Sequence, residues 1–135
     1  MKAYNSEENL QIAVVDYISK RYPDVLVRTD GGGIKLTKGQ AIKLSRMNGR
    51  VRGFSDLFIY RGGGNLKHPY AGLAIELKRE GVKLTKKNGE WATSHIEEQA
   101  LILQKLRKEG YFATFAVGFD EAKNIIDQYL AGEAE

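Results

Sequence analysis

The chain has no cysteine among its 135 residues. Disulfide scaffolds, thiolate-held zinc and cysteine nucleophiles are therefore excluded, and a reducing interior is the natural setting. Histidine is nearly as scarce. His68 and His95 have no second histidine or cysteine at ligand spacing, which argues against a zinc site. No apolar run approaches the roughly 18 residues needed to cross a bilayer, so no membrane partner is expected. Residues 1–8 are polar and lack the apolar core of a signal peptide. Repeats and low-complexity tracts are absent. The expectation is one cytoplasmic domain over residues 1–135.

Hydrophobic residues make up 42% and charged residues 28% of the chain, an ordinary balance for a soluble globular protein with a single core. The formal charge of +4 is small, but it is unevenly placed. From Gly31 to Ser55 there is no acid, while Lys35, Lys38, Lys43, Arg46, Arg50 and Arg52 supply six positive charges. The rest of the chain carries a small net negative charge. A basic segment on such a body points to a polyanion, most simply nucleic acid; by itself the segment fits a solvated loop equally well.

Ser6 reads as an N-cap, and Leu10, Val14, Tyr17 and Ile18 recur at amphipathic-helix spacing until Tyr22-Pro23-Asp24 ends the pattern. Val25 to Thr29 is a β-branched run stopped by Asp30 and three glycines, hence a strand. Ile34, Leu36, Ile42, Leu44 and Met47 suit a hairpin or an irregular excursion. Phe54 to Tyr60 and Tyr70 to Lys78 read as strands, the second apolar enough to be covered on both faces. Gly62-Gly63-Gly64 between them is a turn. Val82 to Trp91 is a basic, glycine-bearing loop. Ser94-His95-Ile96-Glu97 looks like a capping box opening a helix with Ile96, Ala100, Leu103 and Leu106 inward, closed by Gly110. Tyr111 to Val117 is a strand, and Asp120 to Leu130 a helix burying Ala122, Ile125, Ile126 and Tyr129. The expected fold is α/β, a central mixed sheet flanked by helices in the order α-β-β-β-α-β-α.

An acid-x-Lys triplet has no weight alone. Two occur, Glu76-Leu77-Lys78 and Glu121-Ala122-Lys123, about as many as random placement gives. The second falls on a helix and reads as a solvated face. The first ends the most apolar strand. Side-chain alternation sends Glu76 and Lys78 to one face while Ile75 and Leu77 enter the core on the other. A carboxylate there needs a partner, unless the strand simply emerges into solvent. Asp56 heads the other apolar strand. If the two strands are antiparallel neighbours, Asp56 lies near Glu76, and converging carboxylates call for a divalent cation. Oxygen ligands suit Mg²⁺, which keeps its waters and reaches for phosphate. Lys78 alongside would orient the attacking water or offset transition-state charge.

Gly53-x-Ser55-Asp56 followed twenty residues later by Glu76-x-Lys78 resembles the PD-(D/E)xK nuclease superfamily. More narrowly, the chain resembles a stand-alone VRR-NUC domain of phage and bacterial type. The resemblance runs through Ser6-Glu7, Leu10-Gln11, Arg28-Thr29 and Asn48-Gly49. It continues with Ile75 to Lys78, Lys83-Leu84-Thr85, Glu98-Gln99, Leu106 to Tyr111 and the Gly118 to Ala122 turn. It implies a restriction-endonuclease-like core and Mg²⁺-dependent hydrolysis of DNA phosphodiester bonds, with Mn²⁺ able to substitute. It also implies metal ligation by Asp56, Glu76 and the Leu77 carbonyl, a catalytic Lys78, and a supporting Gln99. Glu7 would be the first-helix acid, preferred over Glu8 because it shares the stripe of Leu10 and Val14. The superfamily's proline is replaced by Ser55, which binds no metal. Lys35, Lys38, Lys43, Arg46, Arg50 and Arg52, with Lys83, Lys86 and Lys87, would hold the DNA backbone. A homodimer acting on branched DNA such as four-way (Holliday) junctions is the implied assembly, in the bacterial host cell interior if the chain is phage-encoded.

Rival readings exist. The enzyme could instead cut flaps, single-strand ends or restriction-like sites, or the chain could be a catalytically silent DNA-binding module. A small RNA-binding domain would need aromatics interleaved with arginine on a sheet face, and Tyr60, Tyr70 and Tyr111 are too scattered in sequence to favour it. Without the resemblance, Gln99 reads as an exposed helix residue and His95 as a surface residue that could face phosphate. Trp91 reads as a lid on the core that could stack on an unpaired base. Ser55 has no hydrolase elbow behind it.

Overall fold

The computed structural model describes residues 6–29, 37–47 and 56–132. Helix α1 (Glu7–Arg21) starts where Ser6 accepts the Asn9 N–H at 3.1 Å. Glu7 and Glu8 sit in its first turn and Lys20 and Arg21 in its last, matching the helix dipole. Its buried stripe is Leu10, Val14 and Ile18. Four strands follow in sheet order: β1 (Val27–Thr29), β2 (Leu57–Ile59), β3 (Leu73–Lys78) and β4 (Phe112–Val117). The first three pair antiparallel, and β4 runs parallel to β3. A parallel neighbour requires a crossover, which α3 (Ser94–Lys108) supplies.

All six residues of β3 are buried, because helices cover both faces. On one side α1 and α4 (Phe119–Leu130) pack Leu10, Val14, Ile18, Ala122, Ile126 and Tyr129 against Leu57, Ile59, Leu73, Ile75 and Leu77. On the other, Ile96 and Leu103 of α3 pack on Ala74, Ala113 and Phe115. The expected mixed α/β sheet is therefore present, with shorter strands than the apolar runs suggested.

Two expectations change. The ambiguous basic stretch contains a helix, α2 (Lys38–Met47), not a hairpin. Thr37 Oγ1 accepts the Gln40 N–H at 3.1 Å while Gln40 Oε1 accepts the Thr37 N–H at 2.9 Å, a reciprocal cap that starts it. Helix α3 is capped by Thr93, whose side chain accepts the Ile96 N–H at 3.1 Å, so Ser94 is the first helical residue and not the cap. At its far end Gly110, at φ +95°, lets the Tyr111 N–H reach the Leu106 carbonyl and its own N–H reach that of Arg107, both at 3.1 Å. This left-handed closure turns the chain directly into β4.

Candidate active site

The site lies where β2 begins and β3 ends. Pairs Leu57↔Ile75, Phe58↔Ala74 and Ile59↔Leu73 define the register, and one further step sets Asp56 opposite Glu76. Directly opposed residues carry their Cβ atoms about 4.5–5.5 Å apart on one face. The Asp56 carboxylate is fixed there, Oδ2 accepting the Leu77 N–H at 3.0 Å. The Leu77 carbonyl shares that edge of the strand with its N–H, while the Leu77 side chain fills the α1/α4 core. Antiparallel neighbourhood was the condition on which the sequence reading of this site depended, and it is met.

Glu76 and Lys78 share the α3 face of β3 and are only 2% and 4% exposed. The strand does not emerge into solvent at Glu76. Its carboxylate Oε1 accepts a short hydrogen bond from Gln99 Nε2. Gln99 is itself 5% exposed and sits between Ile96 and Leu103 on the buried stripe of α3, so the reading of an exposed helix residue fails. A buried carboxylate deprived of its donors costs about 1–3 kcal/mol or more, and this amide holds Glu76 in one direction. Gln99 Oε1 is buried with no hydrogen-bond partner among the described residues. Lys78 forms no ion pair among the described residues, where the bridges are Lys20–Asp16 and Lys123–Asp127, each within one helix.

Helix α1 reaches the same rim. Gln11 Nε2 donates to the Asp56 carbonyl at 3.1 Å. Glu7 is one turn earlier on that helix face and half-buried, whereas Glu8 is exposed. Among the described residues no three histidine, aspartate or glutamate side chains stand close enough to hold a metal together, so Glu7 does not complete a three-acid cluster with Asp56 and Glu76. What the chain offers a cation is an oxygen-only set of two carboxylates and a backbone carbonyl. That chemistry fits a hard ion retaining several waters, the habit of Mg²⁺. Gln11 carries a role that the sequence reading missed; its spacing of four from Glu7 was the available signal.

Lys38, Lys43 and Arg46 are exposed on α2, and Lys83, Lys86 and Lys87 are exposed on the loop after β3. Lys35, Arg50 and Arg52 lie outside the described residues, as do Gly53 and Ser55. The loop folds back on itself, with Thr85 bridging Trp91 and the Lys86 N–H donating to the Glu90 carbonyl at 2.8 Å. Trp91 leans on Phe115 with ring centroids 5.8 Å apart and is 37% exposed, a partial lid on the α3 core. His95 is exposed. His68 is buried, Nδ1 accepting the Tyr70 N–H and Nε2 facing the Tyr129 carbonyl, each at 3.2 Å. The three tyrosines weighed for a nucleic-acid face separate: Tyr70 packs on the α1/α4 side with Phe112 and Tyr129, while Tyr60 and Tyr111 both adjoin Phe58.

No protein-family model matches the chain, and no curated protein matches it. Among solved structures, it is similar to a "VRR_NUC domain protein" with a TM-score of 0.62 and 25% sequence identity, over 98% of this chain and 93% of that one.

Proposed function

We propose that this chain, which has the VRR_NUC fold, is a metal-dependent nuclease that hydrolyses phosphodiester bonds of DNA. The observation that carries the reading is the rim of the sheet, where Asp56 is anchored to the Leu77 amide opposite a buried Glu76 held by Gln99. Asp56, Glu76 and the Leu77 carbonyl would hold Mg²⁺ or Mn²⁺, with Glu7 reaching it through water. Such an ion would supply a coordinated water of lowered pKa and charge stabilisation at the phosphate. Lys78, presented from the same strand face two residues on, orients that water or offsets charge on the phosphate oxygens. Gln99 fixes the direction of Glu76, and the Leu77 amide that of Asp56.

The exposed cations of α2 and of the loop after β3 position the DNA backbone without reading sequence. A branched duplex such as a four-way junction, cut by a homodimer with two symmetric sites, is the substrate and assembly that we propose. Cleavage assays on junction, flap and linear duplex DNA across a Mg²⁺ and Mn²⁺ titration test it. Preferential, divalent-dependent cutting of the junction supports the full reading. Equal cutting of linear DNA removes the branched preference, and binding without cutting under either ion makes the chain a silent DNA-binding module.

A further inference from the structure

Helix α3 covers only the β3–β4 half of its face of the sheet. The other half displays aromatic side chains. The register runs Arg28↔Phe58↔Ala74↔Ala113 across all four strands, which puts these residues on one face. One row further, the Tyr60 N–H donates to the Leu26 carbonyl at 2.9 Å, setting Leu26 beside Tyr60. Leu26 is 70% and Tyr60 51% exposed. The Tyr60 ring stacks on Phe58 with centroids 5.3 Å apart and planes at 29°. Tyr111 meets Phe58 edge-on, also at 5.3 Å. Gly72, just before β3, makes room for the Tyr111 ring: a Cβ there would stand 3.2 Å from Tyr111 Cδ1 and 3.1 Å from the Ile59 carbonyl oxygen.

We infer that Tyr60 is a stacking platform for an unpaired nucleobase of the substrate. A near-parallel aromatic pair with its outer ring in water is continued by one more flat ring, and every base offers one. Charge favours the same occupant. Arg28 is exposed beside the pair, and residues 57–75 contain Arg61 and Lys67 but no acid. The platform is also continuous with the candidate site. Asp56, Phe58 and Tyr60 are alternate residues along β2 and its two flanking positions, so Tyr60 stands about 13 Å from Asp56 along the chain. Even at the 3.4 Å rise of a stacked strand, that is about four nucleotides from the phosphate being cut. This rests on the nuclease reading only for its link to the cut; the platform itself is a statement about base binding.

Binding of a labelled oligothymidylate is measured with divalent ions chelated, comparing the parent with Tyr60→Ala, Tyr60→Phe and Arg28→Ala. Tyr60→Ala should weaken binding about tenfold to a hundredfold, and Tyr60→Phe should restore it. An abasic site stepped along the oligonucleotide should weaken the parent at one position and leave Tyr60→Ala indifferent. Unchanged affinity in Tyr60→Ala overturns the proposal. So does an unchanged affinity accompanied by loss of self-association, which would give the patch to a second copy of the chain. If no DNA is cut under any divalent ion while Tyr60-dependent binding persists, the nuclease reading falls and the platform stands.

Discussion

Lys78 is a cation at 4% exposure that forms no ion pair among the described residues, on a strand whose other positions are apolar or acidic. Burial of such a charge is unfavourable for stability, a cost that the proposed phosphate-facing role would account for. Lys78→Met keeps the stem and removes the charge. Cutting should be lost while chemical denaturation shows stability unchanged or raised by about 1 kcal/mol. A stable Lys78→Met that cuts like the parent contradicts its assignment. Gln99→Ala should lower the cleavage rate at limiting metal about 10–100-fold, with recovery at high metal, because the amide orients Glu76, a proposed ligand. At this scale the sequence was partly legible. Glu76 and Asp56 stood out because one acid lies at the end of an apolar run and the other at the head of one. Gln99 stood out only through the family resemblance, since burial of a single glutamine on α3 depends on which strand passes beneath it.

Among the elements, β3 was the most readable, its unbroken apolar run reflecting cover on both faces. Helix α2 was the least. Its strand-like apolar spacing concealed a Thr37-x-x-Gln40 signature that begins a helix once both partners bond. The α3 cap was misplaced by one residue because Thr93 and Ser94 are both good caps, and the choice is settled only by where the first turn closes. Thr93→Ala should therefore destabilise the protein by about 1 kcal/mol, while Ser94→Ala should change little. Equal losses by urea denaturation would show the cap to be shared.

Across the whole molecule, α1 is tied to α4 through Asp127. Its Oδ1 accepts from the hydroxyls of Tyr17 and Tyr22, each at 2.6 Å, and its Oδ2 from Lys123 at 2.9 Å. Burial raises the Asp127 pKa, but these three donors outweigh it and leave it below the usual carboxylate value. Burial, with Asp127 as acceptor, pushes Tyr22 up to about 12 from 10.0, and burial alone does the same to Tyr129. The lowered acid contributes stability above its unfolded value of 3.8 that is lost as pH falls through the folded value. The raised tyrosines contribute stability below pH 10 that is lost as pH climbs toward 12. Denaturation midpoints should form a plateau between these limits, and Asp127→Asn should flatten the acid limb and weaken the alkaline one. An unchanged acid limb would place the acid sensitivity elsewhere. The sheet order and the inward stripes of α1, α3 and α4 were legible from periodicity, whereas this tertiary tie joins residues more than 100 positions apart.

The claim beneath all of this is that Asp56 and Glu76 take hold of one hydrated divalent ion, and ion binding tests it without relying on cleavage. Mn²⁺ titrated into the parent, Asp56→Asn and Glu76→Gln, followed by calorimetry, should give a site in the parent that either substitution weakens at least about tenfold, with the folded circular dichroism spectrum retained. Equal Mn²⁺ affinity in all three proteins, or a parent that binds none, would contradict it.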